Sequence, residues 1–86
     1  MTVDMSKVRE DLSRAMRQVL GIYRMDVKSG NFRRYGYNDQ DVTHRVAATR
    51  REIESIMLIA DLSCITDFPE YNEGEKVLEE LKKYET

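Results

Sequence analysis

Residues 38–65 have the sequence NDQDVTHRVAATRREIESIMLIADLSCI, which contains the clearest helical pattern in the chain. Asn38 and Asp41 form a capping pair, and Tyr37 and Val42 occupy the two positions of a hydrophobic staple. The residues of the predicted buried face recur every three or four positions and are Val42, Val46, Thr49, Ile53, Ile56, Met57, Ala60 and Cys64. The stretch therefore predicts one long amphipathic helix, capped by Asn38.

A second amphipathic pattern precedes this stretch, from about residue 4 to residue 20. Its apolar face contains Met5, Val8, Leu12, Ala15, Met16, Val19, Tyr23 and Val27. Thr2 is the predicted N-cap, with Asp4 in the first turn, where the helix dipole favours a negative charge. Two alternatives stay open beyond Gly21. Either the helix ends there and a small β-hairpin follows, or it reaches Lys28 and Gly30 ends it.

The last part of the chain predicts a third, shorter helix. Its apolar face contains Val77, Leu78, Leu81 and Tyr84. Asp67 and Glu70 flank Pro69 in one capping pattern, and a second capping pattern begins at Asn72. Because Gly74 disfavours one continuous helix from Asp67, the preferred prediction is a short turn followed by a helix.

The length of 86 residues predicts a single helical domain over residues 1–86. The expected fold class is mainly α, with two long antiparallel amphipathic helices and a short C-terminal helix. The alternative fold adds a small β-hairpin between the first two helices. Two helices of this length folded against each other make a rod, which the short third helix covers only in part.

Oligomerisation is expected because so short a chain buries only about 60% of its unfolded surface. Cys64 is the only cysteine, so no intrachain disulfide adds stability. Between residues 56 and 65 nearly every side of the second helix is apolar, which is typical of a helix covered on several faces. A homodimeric helical bundle is therefore predicted, and its candidate interface consists of Ile53, Ile56, Met57, Ile59 and Ala60.

Hydropathy and cysteine content indicate the expected cellular compartment of the protein. No stretch approaches the roughly 18 continuous apolar residues of a membrane span, and the N-terminus lacks the pattern of a signal peptide. A lone cysteine excludes a cysteine-rich zinc module and suits a reducing compartment. A cytoplasmic protein with no membrane partner is therefore expected.

The net charge of −2 is unevenly distributed. Residues 1–60 contain 11 basic and 8 acidic side chains, whereas residues 61–86 contain 3 basic and 8 acidic ones. One interpretation is a body that faces a polyanion and an acidic tail. The other, which needs no ligand and is preferred, is that the two segments pair with each other, within one chain or across a dimer.

A basic and aromatic segment over residues 23–37 is the candidate for nucleic-acid binding. Arginine neutralises phosphates and aromatic rings stack on exposed bases, so the composition suits single-stranded nucleic acid. The candidate residues are Arg24, Lys28, Phe32, Arg33, Arg34, Tyr35 and Tyr37, extended by Arg45, Arg50 and Arg51 of the second helix. The alternative is a solvated segment whose aromatic rings pack onto helix ends.

No catalytic constellation is expected. His44 lies one turn after Asp41, but a catalytic zinc usually has three protein ligands and no second histidine exists. Cys64 is expected to be a small core hydrophobe rather than a nucleophile. The sequence therefore predicts no metal, no cofactor and no enzyme, but a small helical interaction or regulatory module with a protein partner. Nucleic-acid binding is the alternative.

Overall fold

The computed structural model describes residues 4–36 and 38–84, and within them every side chain except those of Phe32 and Arg33. The elements are α1 (Met5–Ile22), which continues as a π-helical turn (Tyr23–Lys28), then α2 (Asn31–Arg34), α3 (Asp39–Leu62), α4 (Pro69–Leu81) and a 3-10 turn (Lys82–Tyr84). The described ranges contain no β-strand. The prediction of a mainly helical fold is confirmed.

The first helix begins one residue after Asp4, which is its N-cap. The Asp4 carboxylate accepts hydrogen bonds from the backbone N–H groups of Ser6 and Lys7, so it satisfies two donors that have no partner inside the helix. The prediction that Asp4 lies within the first turn was therefore wrong by one position. Thr2, the predicted cap, lies outside the described residues.

The segment between the first two long helices follows the helical alternative, because the chain stays helical through Lys28. The backbone carbonyl of Met25 accepts hydrogen bonds from the Ser29 hydroxyl and, at 2.7 Å, from the Asn31 side-chain amide. These side chains satisfy a carbonyl near the helix end. Gly30 then adopts a φ of 79°, a conformation that glycine adopts at little cost, and the first helix ends.

Helix α3, which is the second helix predicted from the sequence, begins with the capping box that its sequence predicts. The Asn38 side chain accepts from the Asp41 N–H at 2.9 Å, and the Asp41 carboxylate accepts from the Asn38 N–H at 3.1 Å. Tyr37, the predicted partner in the hydrophobic staple, lies outside the described residues. The buried residues of α3 are Val42, Val46, Thr49, Ile53 and Ala60, which all belong to the predicted buried face.

The same helix ends in a Schellman motif. The Ile65 N–H donates to the Ala60 carbonyl at 2.9 Å, and the Cys64 N–H donates to the Asp61 carbonyl at 3.1 Å. Cys64 occupies the left-handed position with a φ of 56° and is exposed. The prediction that Cys64 is a core residue was wrong, because α3 ends at Leu62 and the reversal buries Ile65 instead.

We expect Cys64→Gly to stabilise the protein by about 1 kcal/mol, since glycine has no Cβ to clash in the left-handed conformation. Urea denaturation followed by circular dichroism measures the change. Ser63→Gly is the control, because Ser63 has an ordinary helical φ of −88° and gains nothing from glycine. An equal or lower urea midpoint for Cys64→Gly than for the parent protein would contradict this account of the turn.

The fourth helix is continuous from Pro69 to Leu81, so the prediction of a short turn before Gly74 was wrong. Gly74 is buried, and a Cβ built on it would lie 2.8 Å from the Met16 terminal methyl carbon. The glycine therefore permits a close approach between α4 and α1. The predicted cap Asp67 does not cap α4 either; its carboxylate accepts from Arg9 at 3.1 Å.

Two clusters of buried residues hold the three long helices together. The larger one contains Met16, Leu20, Tyr23, Val27, Val42, Val46, Ile53, Val77 and Leu81. The smaller one contains Leu12, Ala60, Ile65 and Phe68. Because the start of α1 packs on the end of α3, these two helices are antiparallel, as predicted. The molecule measures 49 × 22 × 20 Å, so it is the expected rod.

Candidate interaction surface

Four basic side chains of α1 and its π-helical continuation pair with acidic side chains at positions 67–80, in α4 and just before it. The two helices run in the same direction, and the pairs are Arg9–Asp67 at 3.1 Å, Arg17–Glu70 at 3.6 Å, Arg24–Glu73 at 3.0 Å and Lys28–Glu80 at 3.2 Å. We call this set the ion-pair ladder. It confirms the preferred interpretation of the uneven charge, since the two segments pair within one chain.

A buried hydroxyl, that of Tyr23, joins the last pair of the ladder, Lys28–Glu80. Tyr23 donates to one Glu80 oxygen at 2.9 Å, and Lys28 donates to the other at 3.2 Å. The hydrogen bond from Tyr23, and then the Lys28 ammonium, lower the pKa of the Glu80 carboxyl below its ordinary value. Burial, and then the Glu80 carboxylate, raise the pKa of the Tyr23 hydroxyl, which stays a donor at neutral pH.

We expect this network to make stability depend on pH. The unfolded Glu80 carboxyl binds its proton near the ordinary pKa of 4.5, and the folded one binds it only at lower pH. The contribution to stability is therefore complete above about pH 4.5 and is lost as the pH falls through the lower folded pKa. Asp67, whose pKa is lowered by the hydrogen bond from Arg9, acts in the same direction.

Urea midpoints measured between pH 7 and pH 3 test this expectation. Tyr23→Phe removes the largest cause of the Glu80 shift, so the fall in midpoint at acid pH becomes smaller than in the parent protein. Tyr35→Phe removes an exposed hydroxyl just after α2 and should leave the profile unchanged. Identical profiles for the parent protein and Tyr23→Phe would show that the hydrogen bond from Tyr23 to Glu80 contributes no pH dependence.

The structure places the candidate nucleic-acid residues in several environments. Arg24 and Lys28 face the carboxylates of α4 in the ion-pair ladder. Arg34 and Tyr35 are exposed next to each other at the end of α2, where Tyr35 is 75% exposed. The side chains of Phe32, Arg33 and Tyr37 lie outside the described part of the chain.

The three arginines of α3 do not form one surface. At about 100° per residue, Arg45, Arg50 and Arg51 point in directions roughly 100–140° apart. The Nε atom of Arg45 is buried, and Arg51 lines a groove beside α1. The helix therefore does not extend the basic segment into a continuous phosphate-binding stripe.

The residues of the predicted dimer interface are divided between core and surface. Ile53 and Ala60 are both 0% exposed and belong to the two core clusters. Ile56 and Met57 are half-buried and pack against the core. Ile59, at 52% exposed, is the one residue of this set that projects freely into solvent. Most of the predicted interface therefore serves the fold of one chain.

Sequence reasoning missed two exposed aliphatic residues of α3. Leu58 is 58% exposed and Leu62 is 78% exposed. With Ile59 they lie on the part of α3 outside the arc of its fully buried residues, which we call the outer face: Ala48, Arg51, Glu52, Ser55, Leu58, Ile59 and Leu62. The signal was present in the nearly all-round apolar character of residues 56–65, but it did not show which side stays open.

An open groove of about 500 Å³ runs beside the outer face, between α3 and α1. It is lined by Val19 of α1 and by Ala48, Arg51, Glu52, Ser55 and Ile56 of α3. The side chains of Ala48 and Ser55 are small and leave space in the groove, while those of Val19 and Ile56 make part of its lining apolar. This geometry suits an aliphatic side chain from another molecule.

Other candidate chemistry is dispersed. His44 is exposed on α3, and the described residues include no group of three or more histidine, cysteine or acidic side chains placed to hold a metal ion. Within the same ranges, every helix is too short or too polar to cross a membrane.

Comparison with family models, curated proteins and solved structures finds no match to this chain.

Proposed function

We propose that this chain is a small, non-enzymatic protein-interaction module that acts as an oligomer through the outer face of α3. The observation that carries the proposal is the exposure of Leu58, Ile59 and Leu62 within about one turn and a half of one helix. Single exposed aliphatic residues are common, but grouped ones rimmed by polar residues are typical of interaction sites.

The total surface supports self-association. A monomer of 10.1 kDa is expected to expose about 5,300 Å². This chain exposes 6035 Å², which is greater by about 700 Å². A standard interface removes about 800 Å² from each partner. The elongated shape of the chain, 49 × 22 × 20 Å, leaves more surface open than a compact fold would, and the difference is comparable in size to the share of one partner in a stable complex.

The rest of the fold presents this face as a rigid surface. The ion-pair ladder and the core clusters fix α4 against α1 and against the inner side of α3. Nothing among the described residues packs over Leu58 or Leu62. A helix whose backbone is already held by its core contacts loses little backbone entropy when it binds, which favours association.

Sedimentation velocity between about 5 and 500 µM tests the proposal. The parent protein should form a concentration-dependent dimer, and Leu62→Glu should raise its dissociation constant at least about 100-fold, because a carboxylate would be buried in an apolar contact. Tyr35→Glu is the matched control, since it adds the same charge at an equally exposed apolar site away from α3. A parent protein that stays monomeric at the highest concentration would refute self-association.

Nucleic-acid binding is the second candidate function, because Arg34 and Tyr35 are exposed side by side. Fluorescence polarisation with labelled single-stranded oligonucleotides across a salt series tests it. Binding should weaken steeply with salt and with the double variant Arg33→Ala/Arg34→Ala. The control Lys76→Ala/Lys83→Ala removes the same charge from another part of the chain. Equal binding by the two double variants would exclude a specific role for the segment.

A further inference from the structure

One stripe of the outer face of α3 repeats every seven residues, at Ala48, Ser55 and Leu62. A seven-residue repeat keeps one stripe of a helix against a partner helix over several turns. The stripe is uneven, because its first two repeat positions are small and its last one is a leucine.

Ser55 is the midpoint of this stripe. In an antiparallel pair of α3 helices with the two-fold axis at Ser55, Leu62 of one copy lies opposite the partner's Ala48. By the same symmetry, Ile59 lies opposite the partner's Arg51 and Leu58 opposite the partner's Glu52. A large side chain then always meets a small residue or a long, flexible stem, which allows the two helices to interdigitate.

A parallel pair would lack this match. Leu62 would meet the partner's Leu62, and Ala48 would meet the partner's Ala48, so one end would be crowded and the other would leave a gap. The open groove of about 500 Å³ is lined by Ala48 and Ser55, at the end where the antiparallel arrangement brings in leucine. The most exposed aliphatic side chain of α3 and the groove thus correspond under one two-fold rotation.

We propose that the partner is a second copy of this chain, with the two α3 helices antiparallel about an axis at Ser55 and each Leu62 seated in the other copy's groove. This inference rests on the proposed function, which requires self-association but fixes no geometry. A second copy is the occupant that this match favours, since one chain carries both the exposed leucine and the groove that receives it.

Disulfide cross-linking in a Cys64→Gly background tests the arrangement. A disulfide forms only where two Cα atoms approach within roughly 4.4–6.8 Å. Ser55→Cys should therefore cross-link rapidly under mild oxidation, because the axis brings the two copies of position 55 together. Leu62→Cys should not cross-link with itself, since its two copies lie about 21 Å apart along the helices. A mixture of Ala48→Cys and Leu62→Cys proteins should form the mixed disulfide.

The outcomes separate the geometry from the function. Rapid cross-linking at position 55 and in the 48–62 mixture, with at least about a tenfold lower rate for Leu62→Cys alone, supports the antiparallel arrangement. A dimer in sedimentation whose Ser55→Cys variant cross-links no faster than Leu62→Cys overturns it and leaves the interaction function standing. Sedimentation samples concentrations up to about 500 µM. A Cys64→Gly protein that is still monomeric there overturns both the antiparallel arrangement and self-association.

Discussion

Gly74→Val should lower the free energy of unfolding by about 3 kcal/mol, at the upper end of the range for overpacked cores. Even a Cβ at this position would lie 2.8 Å from the Met16 terminal carbon and 3.5 Å from a methyl carbon of Ile53. Both neighbours are fully buried, so neither side chain has space to move away. Urea denaturation of the parent and the variant measures the loss.

Gly21→Val is the matched control for this prediction. Gly21 is also inside a helix, but a Cβ added there would have nothing within 4 Å, so valine meets open space. The control should change stability by less than about 0.5 kcal/mol, since valine is a slightly better helix former than glycine. Similar midpoints for the two variants would show that Gly74 does not lie in close contact with α1.

A double variant tests the contact itself. Met16→Ala alone leaves a cavity and destabilises the protein, but it also removes the atoms that valine at position 74 would strike. In the combined protein the valine fills part of the vacated space. The two changes should therefore be less destabilising together than the sum of their separate effects, by at least about 1 kcal/mol. Additive effects would count against a direct contact.

Ile53→Ala should destabilise the folded chain by about 3–4 kcal/mol, because Ile53 is fully buried between α1 and α4. Ile59→Ala, six residues later on the same helix, should cost less than about 1 kcal/mol of folding stability, because Ile59 is half exposed. Its effect should appear in the dissociation constant instead. Denaturation at low and high protein concentration separates the two contributions.

At low concentration, where the chain is monomeric, only Ile53→Ala should shift the urea midpoint substantially. At high concentration Ile59→Ala should lose part of the extra stability that association gives the parent protein. Equal losses for the two variants at low concentration would mean that Ile59 belongs to the core of one chain. Either result defines which side of α3 folds the monomer.

Local sequence patterns predicted the helices better than their contacts. The Asn38 and Asp41 capping box was predicted because all of its atoms lie within four residues of the chain. Gly74 led to a wrong prediction because its low helix propensity is a local property, whereas its neighbour Met16 is 58 positions away in the sequence. The end of α3 was misplaced for a similar reason, since a left-handed Cys64 is unusual and only the fold reveals it.

The predicted interface residues are divided between core and surface because residues 56–65 are apolar on most sides. Periodicity identifies an apolar face, but it does not show which of two neighbouring faces of α3 is covered by α4. The position of α4 places Ile53 inside and leaves Leu58 and Leu62 outside. The charge pattern was more informative, since opposite charges on two segments predicted their pairing without any knowledge of the angle between helices.

The ion-pair ladder also has a consequence for the order of events during synthesis. Its partners are separated by 49 to 58 residues, so α1 leaves the ribosome long before the carboxylates that neutralise it. Until the segment at 67–80 has been made, the basic side chains of the ladder lack the carboxylates that they contact in the folded chain. The contacts between α1 and α4 therefore form late in synthesis, after the contacts between α1 and α3 have become possible.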